Sequence, residues 1–354
     1  MEVIQPTVEC DVTLDEQPFH LEAGGELPEV TLRCAWYGQP ETAPGGILLV
    51  CHALTGSARV ADWWGGLVGA GRIFDPAHYA IVGINVLGSC YGSTGPTTLD
   101  RRQGRPYGAR FPLVTIGDMV RAQYLALRQL GISHLKAVIG GSIGGMQALR
   151  WATDFPDMLD VCCAIGATPL PAMGLALNHL QRQAILLDAT WQGGDYTTQP
   201  AAGLALARAI AMCSYKSATL FENRFGRRPD RSGEDPRKTL TGRYDVAGYL
   251  DYQGEKFVRR FDANSYLILS KAMDTFDLTD AELARIRARV YLVGLSSDWL
   301  FPAANVRALA QRLQALNVIV QYAEIATDHG HDGFLAEPEA VAPYLRAALD
   351  DLGQ

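Results

Sequence analysis

The sequence predicts an α/β fold, a mostly parallel central sheet with helices on both faces and an inserted helical lid. Three observations predict it. Short β-branched apolar runs bounded by Gly, Pro, Asn or Asp recur along the chain, and helical stretches lie between them. From about Thr168 to Leu283 those runs disappear, and helical stretches alternate with polar loops. A strand covered on both faces is apolar throughout, so continuous apolar runs read as parallel strands.

In chain order the expected strands are Glu29 to Trp36, Gly46 to Cys51, Tyr79 to Val86, Leu135 to Ile139, Val161 to Ile165, Val290 to Val293 and Val318 to Ile325. Before the fourth, Thr115 is placed to cap a helix with Asp118 in its first turn. Ile116, Met119, Val120, Leu127 and Leu130 form its apolar stripe and Gly131 ends it. After the fourth, Met146 to Ala152 reads as a helix that stops near Phe155-Pro156. Ala201 to Met212 and Asn264 to Met273 are helices of the insertion, and Arg224 to Arg243 is a loop rich in Arg, Asp, Gly and Pro. The expected division is residues 1–167 and 284–354 for the two parts of the core, with 168–283 as the lid.

Bulk composition excludes several classes of function. The 354 residues carry a net charge of −7, which offers no basic footprint for nucleic acid. No segment supplies the roughly 18 unbroken apolar residues of a membrane span. Met1 to Glu9 lacks a basic stretch followed by an apolar core, so a cytoplasmic location is expected. Cys10, Cys34, Cys51, Cys90, Cys162, Cys163 and Cys213 form no C-x-x-C pair and no ligand array with histidine; they are expected to be reduced and mostly buried, with no metal and no tightly bound cofactor.

The chemistry-bearing motif is Gly140-Gly141-Ser142-Ile143-Gly144, set between an apolar strand and a helix. That context fits a nucleophile elbow of the α/β-hydrolase fold, where a sharp turn holds a serine hydroxyl clear of the sheet. A phosphate-binding glycine turn is the alternative, but the spacing matches neither G-x-G-x-x-G nor a P-loop. In this fold the acid and the base follow the serine in that order. Asp298 stands just after the strand Arg289 to Gly294; His329 and His331 both follow the last strand, and spacing alone does not choose between them. His52 precedes the serine and is expected to shape its loop. The oxyanion donors would be the backbone N–H groups of Leu54 and Ile143.

Taken together, His52-Ala53-Leu54-Thr55-Gly56, Asn85 to Pro96, Gly140 to Trp151, Ala207-Arg208 with Tyr215-Lys216-Ser217, Ser297 to Pro302 and Gly330 to Leu335 make the chain resemble the homoserine O-acetyltransferase family. The likeness runs from about Val30 to Leu349. It implies a triad of Ser142, Asp298 and His331, with His329 only a neighbour. It also implies an acceptor pocket formed by Arg208, Asp332, Tyr215 and Thr55. A guanidinium and a carboxylate suit the two charged ends of an amino acid. Ile143, Lys216 and Gly333 depart from the family's usual Met, Arg and Ala, and none of the three removes a catalytic atom.

The reaction this implies is ping-pong transfer from acetyl-CoA, or succinyl-CoA, through acyl-Ser142 to the hydroxyl of L-homoserine, in methionine biosynthesis. Alternatives are succinyl transfer, a serine acceptor, and simple ester hydrolysis by the same triad. The resemblance further implies a homodimer joined through the lid helices. Arg224, Arg227, Arg228, Arg231, Arg237 and Lys238 are candidates for the phosphates of CoA, set against the plain alternative of a solvated charged loop.

Overall fold

The computed structural model describes residues 3–350. Every residue of Ala80–Ile84 is buried, and so is all but the first residue of Ile47–Cys51, as strands sandwiched between two helical layers must be. Successive strand residues point to opposite faces. Leu48, Ile139 and Cys163 accordingly pack in one core, while their neighbours Leu49, Val138 and Cys162 pack in the other.

Eight strands form the central sheet: β1 (Val8–Thr13), β2 (Thr31–Tyr37), β3 (Ile47–Cys51), β4 (Ala80–Ile84), β5 (Leu135–Gly141), β6 (Leu159–Ile165), β7 (Arg289–Leu295) and β8 (Val320–Ile325). Their spatial order is β1-β2-β4-β3-β5-β6-β7-β8. Only β2 runs against its neighbours. The seven expected strands all form, trimmed or extended at their ends. β1 is an addition. It lies at the sheet edge with mostly exposed or half-buried residues, so it lacks the apolar run that marks the inner strands.

Helix α1 (Ile116–Gln129) opens with a capping box between Thr115 and Asp118, and Gly131, at φ 80°, follows its end. Ile116, Met119, Val120 and Leu127 are buried as expected. Leu130 is not: it forms the C-cap and is 39% exposed, because the turn that ends the helix carries it off the apolar face. Helix α2 (Ile143–Asp154) follows Ser142 directly, three residues earlier than its apolar pattern indicated.

Between β6 and β7 the main elements are α3 (Ala172–Leu186), α4 (Ala201–Tyr215), α5 (Ala218–Phe225), α6 (Asp245–Val258) and α7 (Ala263–Asp274). α4 packs against both α3 and α6. Leu204, Ala207, Phe257 and Tyr266 of this segment share a continuous core with the sheet. The chain closes with α8 (Ala303–Ala315) before β8 and α9 (Pro338–Asp350) after it. The seven cysteines are free; four are buried, Cys10 and Cys90 half-buried and Cys213 exposed. Among the described residues no helix is long and apolar enough to cross a membrane.

Candidate active site

In parallel sheets, ligands meet the chain where strands end at their carboxyl side. Ser142 follows β5, Leu54 and Thr55 follow β3, Asp298 follows β7 and His331 follows β8. Four loops therefore converge on one edge of the sheet.

Ser142 adopts φ 59° and ψ −130°, outside the helical and extended regions. The strain is held by its surroundings. Ser142 N–H donates to the Ile165 carbonyl at 2.9 Å, which ties the turn to β6. A Cβ on Gly140 would lie 2.3 Å from the backbone of Gly144, and one on Gly144 would lie 2.3 Å from the Cys51 carbonyl oxygen. Neither glycine has a positive φ, so close approach of backbones is what requires them. Ile143 is the first residue of α2, which leaves its N–H among the donors unpaired within the helix.

The Asp298 carboxylate is fixed at both oxygens. Oδ1 accepts from Leu300 N–H and Phe301 N–H at 2.9 Å each, and Oδ2 lies 2.7 Å from His331 Nδ1. The histidine loop is pinned in turn. Ser297 Oγ donates to the Thr327 carbonyl at 2.5 Å and accepts from Gly330 N–H at 3.0 Å, while Thr327 Oγ1 accepts from His329 N–H at 2.9 Å. Of the two candidate histidines the structure pairs His331, not His329, with Asp298. Phe301, Phe334 and Tyr215 surround the imidazole with ring centroids 5.0, 5.7 and 5.8 Å away. His331 Nε2 is buried with no hydrogen-bond partner among the described residues and lines the same cavity as Ser142. Burial pushes the imidazole towards its neutral form, but the charge and hydrogen bond of Asp298, with the charge of Asp332, more than offset this and raise its pKa above 6.5.

His52 shapes the loop before the site, as expected. Its Nδ1 lies 2.8 Å from the Ala53 carbonyl and its Nε2 accepts from Val86 N–H at 3.1 Å. Burial lowers its pKa to about 4.

The cavity over Ser142 measures about 540 Å³ and includes Leu54, Thr55, Arg208, Tyr215, His331 and Asp332 in its wall. Arg208 lies over the rings of Phe257 and Tyr215, 5.2 and 5.6 Å from their centroids, and forms no ion pair among the described residues. Asp332 Oδ2 is paired with Lys216 Nζ at 2.8 Å, so the departure at Lys216 is in direct contact with Asp332. Sequence reasoning missed Arg260. Its Nη1 donates to the Thr55 carbonyl and to the Tyr91 hydroxyl, each at 2.8 Å, tying the end of α6 to the loops after β3 and β4. It also missed Gly166, where a Cβ would lie 3.3 Å from Asp298 Oδ2 and 3.5 Å from His331 Nδ1. Both contacts join residues remote in sequence, and no local pattern announces them.

Residues 46–338 match the family described as alpha/beta hydrolase fold. A homoserine O-acetyltransferase of Geotalea uraniireducens is 40% identical over 359 residues, spanning 97% of this chain and 96% of that protein. The crystal structure of a homoserine O-acetyltransferase from Bacillus anthracis superposes with a TM-score of 0.87 at 23% identity, over 97% of this chain and 98% of its own. That of esterase E22 also gives 0.87 at 23% identity, over 97% of this chain and 100% of its own. At this identity the two structures speak for the fold alone.

Proposed function

Because this chain belongs to the homoserine O-acetyltransferase family of the α/β-hydrolase fold, we propose that Ser142, His331 and Asp298 carry out its acyl transfer through a covalent acyl-serine. It is an acyltransferase that uses acyl-CoA as cosubstrate and L-homoserine as acceptor, a step of methionine biosynthesis. One observation carries the assignment of residues: a single cavity is lined by Ser142 and His331 and also by the oppositely charged Arg208 and Asp332.

His331 Nε2 takes the Ser142 proton as Oγ attacks the thioester carbonyl. The oxyanion so formed meets the N–H groups of Leu54 and Ile143, and its collapse expels the CoA thiolate, which takes the proton from His331. Homoserine then enters with its carboxylate towards Arg208 and its ammonium towards Asp332, beside Tyr215 and Thr55. Its hydroxyl gives a proton to His331 and attacks the acyl carbonyl, and Ser142 Oγ leaves with that proton. The donor is acetyl-CoA. Succinyl-CoA is the second reading, since Arg260 puts another guanidinium in the cavity wall. Acetyl is favoured because that guanidinium is already engaged by Thr55 and Tyr91.

Met173, Leu180, Leu187 and Leu206 are exposed on or beside α3 and α4, which supports a homodimer joined through residues 168–283 acting as a lid; we place the enzyme in the cytoplasm. Intact-mass analysis of protein mixed with acetyl-CoA alone tests the covalent route. The expected result is one acetyl adduct, absent in Ser142→Ala; turnover without any adduct on Ser142 would overturn it. CoA release from acetyl-CoA and succinyl-CoA, each with homoserine and with serine, decides donor and acceptor.

A further inference from the structure

In and beside the loop between α5 and α6, four exposed cations gather at one place. Arg224, Arg228, Arg231 and Arg243 line a second cavity of about 760 Å³, together with Tyr249 and Tyr252. Arg237 and Lys238 lie apart from it and pair with Asp235. Four arginines face two aspartates in the cavity wall, Asp230 and Asp245, so the balance is two positive charges on a chain whose net charge is −7. Asp230 is paired with Arg243 at 2.7 Å. Arg224 and Arg231 form no ion pair among the described residues. Arg224 is instead held over the rings of Tyr249 and Phe225, 4.7 and 5.2 Å from their centroids.

We propose that this cavity binds the nucleotide end of the acyl-CoA donor, with Arg224, Arg228 and Arg231 on its phosphates and Tyr249 or Tyr252 against adenine. Guanidinium groups suit phosphate oxygens, and an aromatic face suits a base. The separation of the two cavities is of the same order as the length of the donor's arm. α6 carries Tyr249 at this cavity, and Arg260, just past its end, lies in the wall of the cavity over Ser142. At 1.5 Å of rise per residue the two are roughly 16 Å apart along the helix axis. The pantetheine arm is equivalent to about four residues of extended chain, roughly 14 Å.

The inference rests on acyl-CoA being the donor, and the test separates the two. Acetyl-CoA and S-acetylpantetheine, which lacks the nucleotide, are compared as donors for the native enzyme, Arg231→Gln and Arg224→Gln/Arg231→Gln. KM for acetyl-CoA should rise about tenfold in the double variant while KM for S-acetylpantetheine stays within twofold. Binding of adenosine 3′,5′-bisphosphate, measured by calorimetry and independent of activity, should be lost in parallel. Equal shifts for both donors, no shift for either, or undiminished bisphosphate binding in the double variant overturns the proposal. A native enzyme that binds the bisphosphate but uses neither donor overturns the acyl-transfer reading and leaves this site standing. The single variant keeps Arg224 on its rings, so it reports even if the double variant does not fold.

Discussion

Asp298 holds His331 through a 2.7 Å contact while two backbone N–H groups fix its other oxygen, so the carboxylate has one orientation and the imidazole follows it. Burial alone would lower the pKa of His331; the charge and hydrogen bond of Asp298 reverse the shift. In the proposed mechanism His331 must be neutral to accept the Ser142 proton, so kcat/KM should fall as pH drops through a value above 6.5. In Asp298→Asn burial wins, and the acid limb should move below its native position while the plateau drops by about 10⁴. A limb that stays in place would show that Asp298 does not set the charge of this histidine. The raised pKa also means the pair stabilises the fold fully below the unfolded value and loses that contribution as pH rises through the folded one. The variant's deficit in stability should therefore shrink at alkaline pH.

Ser142 adopts a positive φ that its side chain makes costly. Ser142→Gly should remove catalysis, a loss on the order of 10⁶, and raise stability by about 1 kcal/mol because glycine reaches that conformation without strain. Chemical denaturation of the two proteins provides the comparison. A glycine variant less stable than the parent would mean that the serine side chain contributes more in packing than its backbone conformation costs.

What was legible in the sequence was what local pattern determines. β4, every residue of it buried, is visible as Ala80-Ile81-Val82-Gly83-Ile84, and the start of α1 is visible because Thr115 and Asp118 cap each other three residues apart. The elbow is visible because backbone crowding at Gly140 and Gly144 restricts residue choice at fixed spacing. β1 was not legible, since an edge strand need bury little. Spacing could not separate His329 from His331, because the choice depends on Asp298, some thirty residues away. Arg260 was invisible for the same reason: its partners Thr55 and Tyr91 are brought to it only by the fold.

The glycines at positions 140 and 144 yield a prediction about stability. Their missing Cβ atoms would meet backbone atoms that no rotamer change can move, so Gly144→Ala should cost about 3 kcal/mol, near the upper end for overpacking. Gly131→Ala, whose Cβ would meet nothing within 4 Å, is the control, carrying only the strain of its φ of 80°. Thermal melts should rank Gly144→Ala well below that control. The reverse order would sink the close-approach account of the motif.

His52 supplies an acid-sensitive element away from the chemistry. Its folded pKa of about 4 lies below the ordinary 6.5, so the folded state binds fewer protons than the unfolded one between those values. The stability it protects is complete above pH 6.5 and lost as pH falls towards 4, a change of about 3 kcal/mol at most for this buried ring. His52→Gln should be less stable at pH 7, through altered contacts to Val86 N–H and the Ala53 carbonyl, yet flatter in its pH dependence. Denaturant midpoints between pH 4 and 7 measure both. Parallel slopes would exclude His52 as the source.

The ion pair between Lys216 and Asp332 makes opposite demands on the proposed acceptor site depending on which role dominates. If Lys216 holds Asp332 at the angle an ammonium needs, its loss leaves the carboxylate free to turn away; if it competes with the ammonium, its loss frees an oxygen. The geometry favours the first. The contact uses only Oδ2 and spans 2.8 Å, and both side chains are largely shielded, at 15% and 21% exposure. The charge of Asp332 also acts on His331, so a rotated carboxylate would shift charge within the proposed site. Lys216→Met should therefore raise KM for homoserine about tenfold, the effect of one well-placed charged contact, with kcat changed less than threefold. Lys216→Arg, which preserves the charge, should recover most of the loss, and Asp332→Asn should gain nothing further from Lys216→Met because the pair is already broken. A lower KM in Lys216→Met would assign the lysine to competition instead.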